Sequence, residues 1–259
     1  MTSRSRTRSV ARVALGLAVA ASALSGLANP APAAAQRSGR GFLFGEPLGS
    51  IALRGGFSRA TAGSDVFSFA TDELTLGRGD FSGISLGGEL SFRVAPRVDV
   101  LVGAAYAGSS AASEIRKWTD QDDRPIEQTT SFRRVPVTAS LKLYLADRGR
   151  SVGRLAWIPS RYAPYVGVGG GLMWYRFRQD GDFVDVNTLA VFPDRFDSRG
   201  WTPTAHGMAG VDFSFSPRLA LTGEGRYGWA KARLSEDFSG FDRIDLSGFS
   251  ATLGFLVRL

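Results

Sequence analysis

Few residues in this sequence have types and spacing that could do chemistry. His206 is the one histidine in a chain without cysteine, and a single unpartnered imidazole makes neither a nucleophilic triad nor a metal site. It reads as a structural histidine, set beside Gly207 and Met208. Asp120, Asp122 and Asp123 have the look of a calcium loop, but no glycine and glutamate complete the spacing of an EF-hand, so a solvated loop is expected. The run P-Y-V-G-V-G-G-G from Pro164 to Gly171 is glycine-rich, yet neither Lys-Ser/Thr nor a helical pattern follows, as a phosphate-binding loop requires. Arg78-Gly79-Asp80 is an adhesion-like tripeptide of a length that recurs by chance. We therefore expect no catalytic residue, no metal and no cofactor, and read the protein as a non-enzyme.

What remains is charge in an unusual place. Arg54, Glu89, Arg93, Asp99, Arg134, Lys142, Asp212, Glu224 and Arg226 each lie on the polar side of a segment whose alternate residues are apolar. Alternation with a period of two is the signature of a strand. Charges of both signs on one face of a sheet must either meet water or meet each other, since an unpaired enclosed charge is expensive. The sequence predicts that Glu89 and Glu224 each bond to one or more of Arg54, Arg134, Lys142 and Arg226.

The elements that would carry these charges recur along the chain. Ile51, Leu53 and Phe57 oppose Ala52, Arg54 and Ser58; Ile84, Leu86, Leu90 and Phe92 oppose Ser85, Gly87, Glu89, Ser91 and Arg93. Val98 to Tyr106, Val135 to Leu145, Pro164 to Phe177, Met208 to Phe215 and Leu219 to Trp229 alternate in the same way. Pro136 cannot donate to a ladder, so a bulge or a missing bond is expected there. Gly167, Gly169 and Gly171 share one face, where they let a small barrel close.

The last stretch, Ile244 to Leu259, carries Phe249, Ala251, Leu253, Phe255, Val257 and Leu259 on one side and mostly small or polar groups on the other, with Leu256 the exception. That pattern suits a strand between lipid and a polar lumen. With it the strands number eight.

The first segment has the three zones of a secretory leader: Arg4, Arg6, Arg8 and Arg12, then apolar Val13 to Leu27, then Ala33-Ala34-Ala35 before Gln36. Residues 1–35 are accordingly expected to be a cleaved signal peptide, leaving 36–259 as one barrel domain. The apolar core falls short of the roughly 20 residues of a spanning helix. Formal charge is +7 over the 259 residues, and setting aside the four leader arginines leaves +3, too mild to suggest a nucleic-acid partner. The 32 glycines and 11% aromatic content, together with the alternation, point to an all-β protein.

Connections alternate in length. Ala95-Pro96-Arg97 and Ser216-Pro217-Arg218 read as tight turns, whereas 60–80, 110–129, 179–200 and 233–243 read as long polar loops. Short turns at one end and long loops at the other are the outer-membrane arrangement. The connection 146–160 is longer than this pattern predicts; it holds Arg148, Arg150, Arg154 and Trp157 and is expected along the inner rim. Aromatics gather near strand ends, with Phe57, Tyr106, Trp174, Tyr227 and Trp229 above and Phe92, Phe213 and Phe215 below, as two interfacial girdles would require. A soluble lipocalin-like barrel would instead turn its apolar face inward. The girdles, the leader and a polar face rich in Gly, Ser and Thr favour the membrane.

On the P-Y-V-G-V-G run, the Pro-Arg turns and the terminal strand, the mature chain resembles the eight-stranded outer-membrane barrels of the OmpA-transmembrane, OmpX and OmpW kind. Thr252, Gly254, Val257 and Leu259 fill the places of that group's C-terminal assembly signal, with Leu where Phe is usual. The resemblance implies an antiparallel up-and-down transmembrane barrel in the cell outer membrane. Its partners would be outer-membrane lipid, the barrel-assembly machinery through the last strand, and extracellular ligands at the long loops. Lipid A deacylases of similar barrel size place a Ser two residues after a His, where this chain has Met208. The sequence stops at Leu259, so no peptidoglycan-binding domain is expected after the barrel. A structural or surface-interaction protein with a filled lumen is the first functional expectation; a narrow channel for small or hydrophobic solutes, as in OmpW-like barrels, is the alternative.

Overall fold

A computed structural model describes residues 43, 45–153, 156–185, 188 and 190–259; the expected signal peptide, residues 1–35, lies outside the described residues, as does Arg154. Eight antiparallel strands form a closed barrel: β1 (Gly49–Ala60), β2 (Gly83–Ala95), β3 (Val98–Thr119), β4 (Pro125–Tyr144), β7 (Tyr162–Val184), β8 (Val191–Ser214), β9 (Leu219–Trp229) and β12 (Gly248–Arg258). Each pairs with its neighbour in sequence, and β12 returns to β1 from Ser50↔Arg258 to Ala60↔Gly248. The ring is an up-and-down meander, which leaves no open sheet edge.

Alternation sorts the side chains as the sequence predicts. Leu53, Leu86, Leu90, Val102, Leu141, Val168, Leu253 and Phe255 are exposed on the outside, while Glu89, Thr138, Lys142, Asp212, Thr222 and Glu224 are buried within. Leu256, the exception on the polar side, packs inside against Ala52 and Ala220.

Pro136 interrupts one ladder only. Pairs Ala104↔Val137 and Ala107↔Arg134 flank an unpaired step toward β3 without change of register, while Pro136↔Met173 continues the ladder to β7. The proline, lacking N–H, produces a missing bond and no bulge.

The long loops differ from expectation. Strands β3, β4, β7 and β8 run 22, 20, 23 and 24 residues, about twice the 9–11 residues a membrane crossing needs. Most of 110–129 and 179–200 is therefore strand, because the inward alternation persists through Ile126, Gln128, Phe132, Phe177 and Gln179.

The segment 60–80 is not a polar outer loop either. Its helix α1 (Asp65–Glu73) turns Val66, Phe67 and Ala70 inward, and Phe67 packs edge-on against Phe81, Phe132 and Phe177 at 4.7, 5.3 and 5.6 Å. Phe238, from the 233–243 connection, joins the same cluster at 5.4 Å from Phe177. An apolar cap thus closes the loop end of the barrel.

Two short ribbons lie outside the barrel ladder among the described residues. β5 (Gly149–Val152) pairs with β6 (Ala156–Pro159) under the turn end, where Trp157 is buried and bridges Leu43. β10 (Lys231–Ala232) pairs with β11 (Ile244–Asp245), so Ile244 is not part of the terminal strand, which begins at Gly248.

Candidate functional site

The lumen is built in layers. Below the apolar cap, Arg134 projects inward from β4 and donates from Nη1 to the carbonyls of Leu246 and Ser247 at 2.9 and 3.2 Å and from Nη2 to Ser58 Oγ at 3.0 Å. It therefore ties the entry of β12 to the wall and meets neither glutamate. A cavity of about 100 Å³ lies beneath, reached by His206, Arg54, Glu89 and Arg226.

Two arginines and two glutamates form the cavity floor. Arg54 from β1 donates from Nη2 to Glu89 Oε2 at 2.6 Å and from Nη1 to Glu224 Oε2 at 3.0 Å. Arg226 Nη2 lies 3.1 Å from Glu89 Oε2 and 2.9 Å from Glu224 Oε1, and the Tyr165 hydroxyl donates to Glu224 Oε2 at 2.9 Å. The set is neutral, and each carboxylate has a partner on two different strands. That arrangement offsets the several kcal/mol per ion that desolvation costs.

The next layer down is a separate network. Lys142 Nζ stands 3.8 Å from Asp212 Oδ2 and 3.8 Å above the centre of the Tyr165 ring, and Tyr144 donates to Asp212 Oδ2 at 2.9 Å. Asp99 receives Nη1 of Arg148 at 2.9 Å on both oxygens. Arg258 stacks 5.6 Å over Trp157 and donates to Ser214 Oγ at 2.7 Å. Arg93 stands apart at the rim, paired with Glu46.

The nine charges predicted from sequence thus divide. Arg54, Glu89, Glu224 and Arg226 converge; Lys142 and Asp212 pair with each other and Asp99 with Arg148; Arg134 and Arg93 go elsewhere. Sequence reasoning missed Tyr165 and assigned no partner to Arg148 or Arg258. The basic content of 146–160 was the one available signal for Arg148.

His206 Nε2 lies 3.0 Å from Ser140 Oγ, buried in the wall of the cavity. A Cβ on Gly169 would stand 2.7 Å from His206 Cε1, so this glycine of the P-Y-V-G-V-G-G-G run clears space for the imidazole. Among the described residues no carboxylate hydrogen-bonds to that ring, and no three side chains of ligand type converge as a metal site would need.

The four residues of the expected assembly signal divide by face. Val257 and Leu259 are exposed outside. Thr252 and Gly254 turn inward, Gly254 directly opposite Arg54.

No protein-family model matches the sequence, and no curated protein matches it. Among solved structures, the chain is similar to the outer membrane protein OprG from Pseudomonas aeruginosa, at 15% identity over 83% of this chain and 98% of that one, with a TM-score of 0.43. It is similar to Neisserial surface protein A at 12% identity over 82% and 97%, TM-score 0.42, and to E. coli Outer Membrane Protein W at 17% identity over 83% and 100%, TM-score 0.39. The barrel described above rests on its own strand register and not on these likenesses.

Proposed function

We propose that this chain is an outer-membrane β-barrel whose lumen is closed at rest, with a structural or surface-interaction role. The observation that carries the reading is the bridge of Arg54 to both Glu89 and Glu224 across a lumen that Trp157 closes below and the Phe67 cluster closes above. An eight-stranded interior is just wide enough for side chains to fill. The exposed apolar belt supports a lipid-facing wall. In this reading residues 1–35 are the cleaved leader, 36–259 are the barrel domain, the last strand addresses the assembly machinery, and the protruding hairpins meet ligands outside the cell. Expression of the full chain in a Gram-negative host tests it: the mature protein should fractionate with the outer membrane and show heat-modifiable migration. Recovery as a soluble periplasmic protein would contradict it.

One observation favours the second reading, a path for small hydrophobic solutes. The unpaired step at Val135 and Pro136 adjoins the cavity, whose lining includes Gly88, Ala104 and Tyr106 from the outer side of the wall. A solute entering at that step would reach the wall and not the turn end. Uptake of a benzene-sized apolar solute into the cavity, abolished by Ala105→Phe on the inner face of β3, would support it.

A further inference from the structure

Strands β4, β7 and β8 continue past the outer aromatic level in strict register, and the register stacks their outward residues in rows. Val135, Trp174 and Trp201 form one row, since Val135 pairs with Trp174 and Trp174 with Trp201. One step farther from the barrel, Arg133 pairs with Arg176 and Arg176 with Arg199. Three arginines therefore stand side by side across three strands, about 7 Å above the two tryptophans at the rise of a strand.

Like charges directly opposite one another destabilise a sheet, and here two such pairs adjoin. Only the central arginine is neutralised: Arg176 Nε and Nη2 donate to Asp197 Oδ1 and Oδ2 at 2.6 and 2.9 Å. Arg133 and Arg199 are exposed and make no ion pair among the described residues. The next two rows add Arg178 and Arg195 with Asp197 and Asp180. Five arginines against two aspartates leave three positive charges in excess on one patch. A groove of about 320 Å³ lies over the β4–β7 ladder here, lined by Thr129, Ser131, Arg133, Arg176, Arg178 and the paired Asp180.

Resting on the membrane reading above, we propose that this arginine row binds the phosphate of a phosphorylated glycolipid in the outer leaflet. Trp174 and Trp201 are of the type that settles at the level of lipid headgroups, which sets the arginines at phosphate height. Guanidinium is the side chain suited to bidentate contact with phosphate, and the two arginines without an ion pair flank the row. Apolar Leu172 and Val137 continue below on the same wall, where acyl chains would lie. The unfavourable like-charge pairing has a physical counterpart in an anion that relieves it.

The test refolds the full mature chain into phosphatidylcholine vesicles containing a bis-phosphorylated glucosamine lipid, the same lipid dephosphorylated, or neither. Lipid retained by the protein after detergent extraction is counted by native mass spectrometry. The phosphorylated lipid should be retained preferentially at low salt, and the double variant R133Q/R199Q, which leaves Arg176–Asp197 intact, should lose about tenfold in retention, as expected for removing charge-assisted bonds. Millimolar inorganic phosphate should not compete, because the acyl chains share the binding. Equal retention of the two lipids by the unmodified protein, equal retention by the variant, or full competition by free phosphate would each overturn the proposal. Failure to insert into all three vesicle types, judged by heat-modifiable migration, would instead overturn the membrane reading on which it rests.

Discussion

Arg54 and Gly254 face each other across the seam where the last strand closes on the first. A Cβ on Gly254 would collide with the carbonyl of Leu53 and stand 2.7 Å from Arg54 Cγ. The glycine therefore leaves the space through which Arg54 enters the lumen, and a residue readable as part of an assembly signal also has a packing reason to be glycine. Gly254→Ala should destabilise the folded barrel by about 1–3 kcal/mol, the usual cost of overpacking, measured by urea unfolding in micelles. An unchanged midpoint would show that the seam tolerates a methyl group.

The four-charge set predicts an asymmetry between its members and their neighbours. Glu224 receives Arg54, Arg226 and Tyr165, so Glu224→Ala leaves Arg54 and Arg226 sharing Glu89 alone, one positive charge uncompensated in the lumen, and should cost roughly 3–5 kcal/mol. Arg93→Ala removes a partly exposed rim pair and should cost about 1 kcal/mol or less. Equal costs in the same unfolding assay would argue against a buried network.

How much of this was legible depends on range. The period of two placed Arg54, Glu89 and Glu224 on inner faces because that sorting is local. Which charge meets which was not local: Arg54 and Glu224 are 170 positions apart, and their meeting depends on strand stagger, which no sequence spacing encodes. Arg134 illustrates the limit. It sits on the predicted face and was one of four candidate partners for the glutamates, yet the chain before Gly248 turns the carbonyls of Leu246 and Ser247 toward it, and these are its partners instead. The cap was illegible for a related reason, since α1 is nine residues long and its Phe67 has a burial site only once four other segments surround the mouth. The arginine row was hidden likewise, because Arg133, Arg176 and Arg199 become neighbours only through register.

The outer face of the last strand supplies a prediction about biogenesis. Val257 and Leu259 are 40% and 68% exposed on the apolar wall, so V257D/L259D would place two carboxylates against lipid near the interface. The folded, heat-modifiable form should fall to a small fraction of the unmodified yield in the outer membrane. Normal yield would separate these residues from assembly.

Above the barrel, pH should act on the hairpin of β7 and β8. Hydrogen bonds from Arg176 hold Asp197 below its ordinary value of 3.8, and those from Arg178 and then Arg195 do the same for Asp180. A lowered carboxylate contributes stability that is fully present above its unfolded pKa and lost as pH falls through the folded one. Hydrogen exchange corrected for intrinsic rates should therefore show hairpin protection constant from neutral pH to about 4.5 and declining only in stronger acid. Loss of protection near pH 6 would exclude these pairs as its source.

The closed lumen is tested most directly by current. Purified, refolded mature chain in a planar bilayer should pass no steady ionic current at moderate voltage, because the Arg54, Glu89, Glu224 and Arg226 floor, the Lys142–Asp212 layer and Trp157 stand in series across the path. Reproducible single-channel steps from the unmodified protein, at a frequency that scales with the amount reconstituted, would contradict the account and make the conducting reading the correct one.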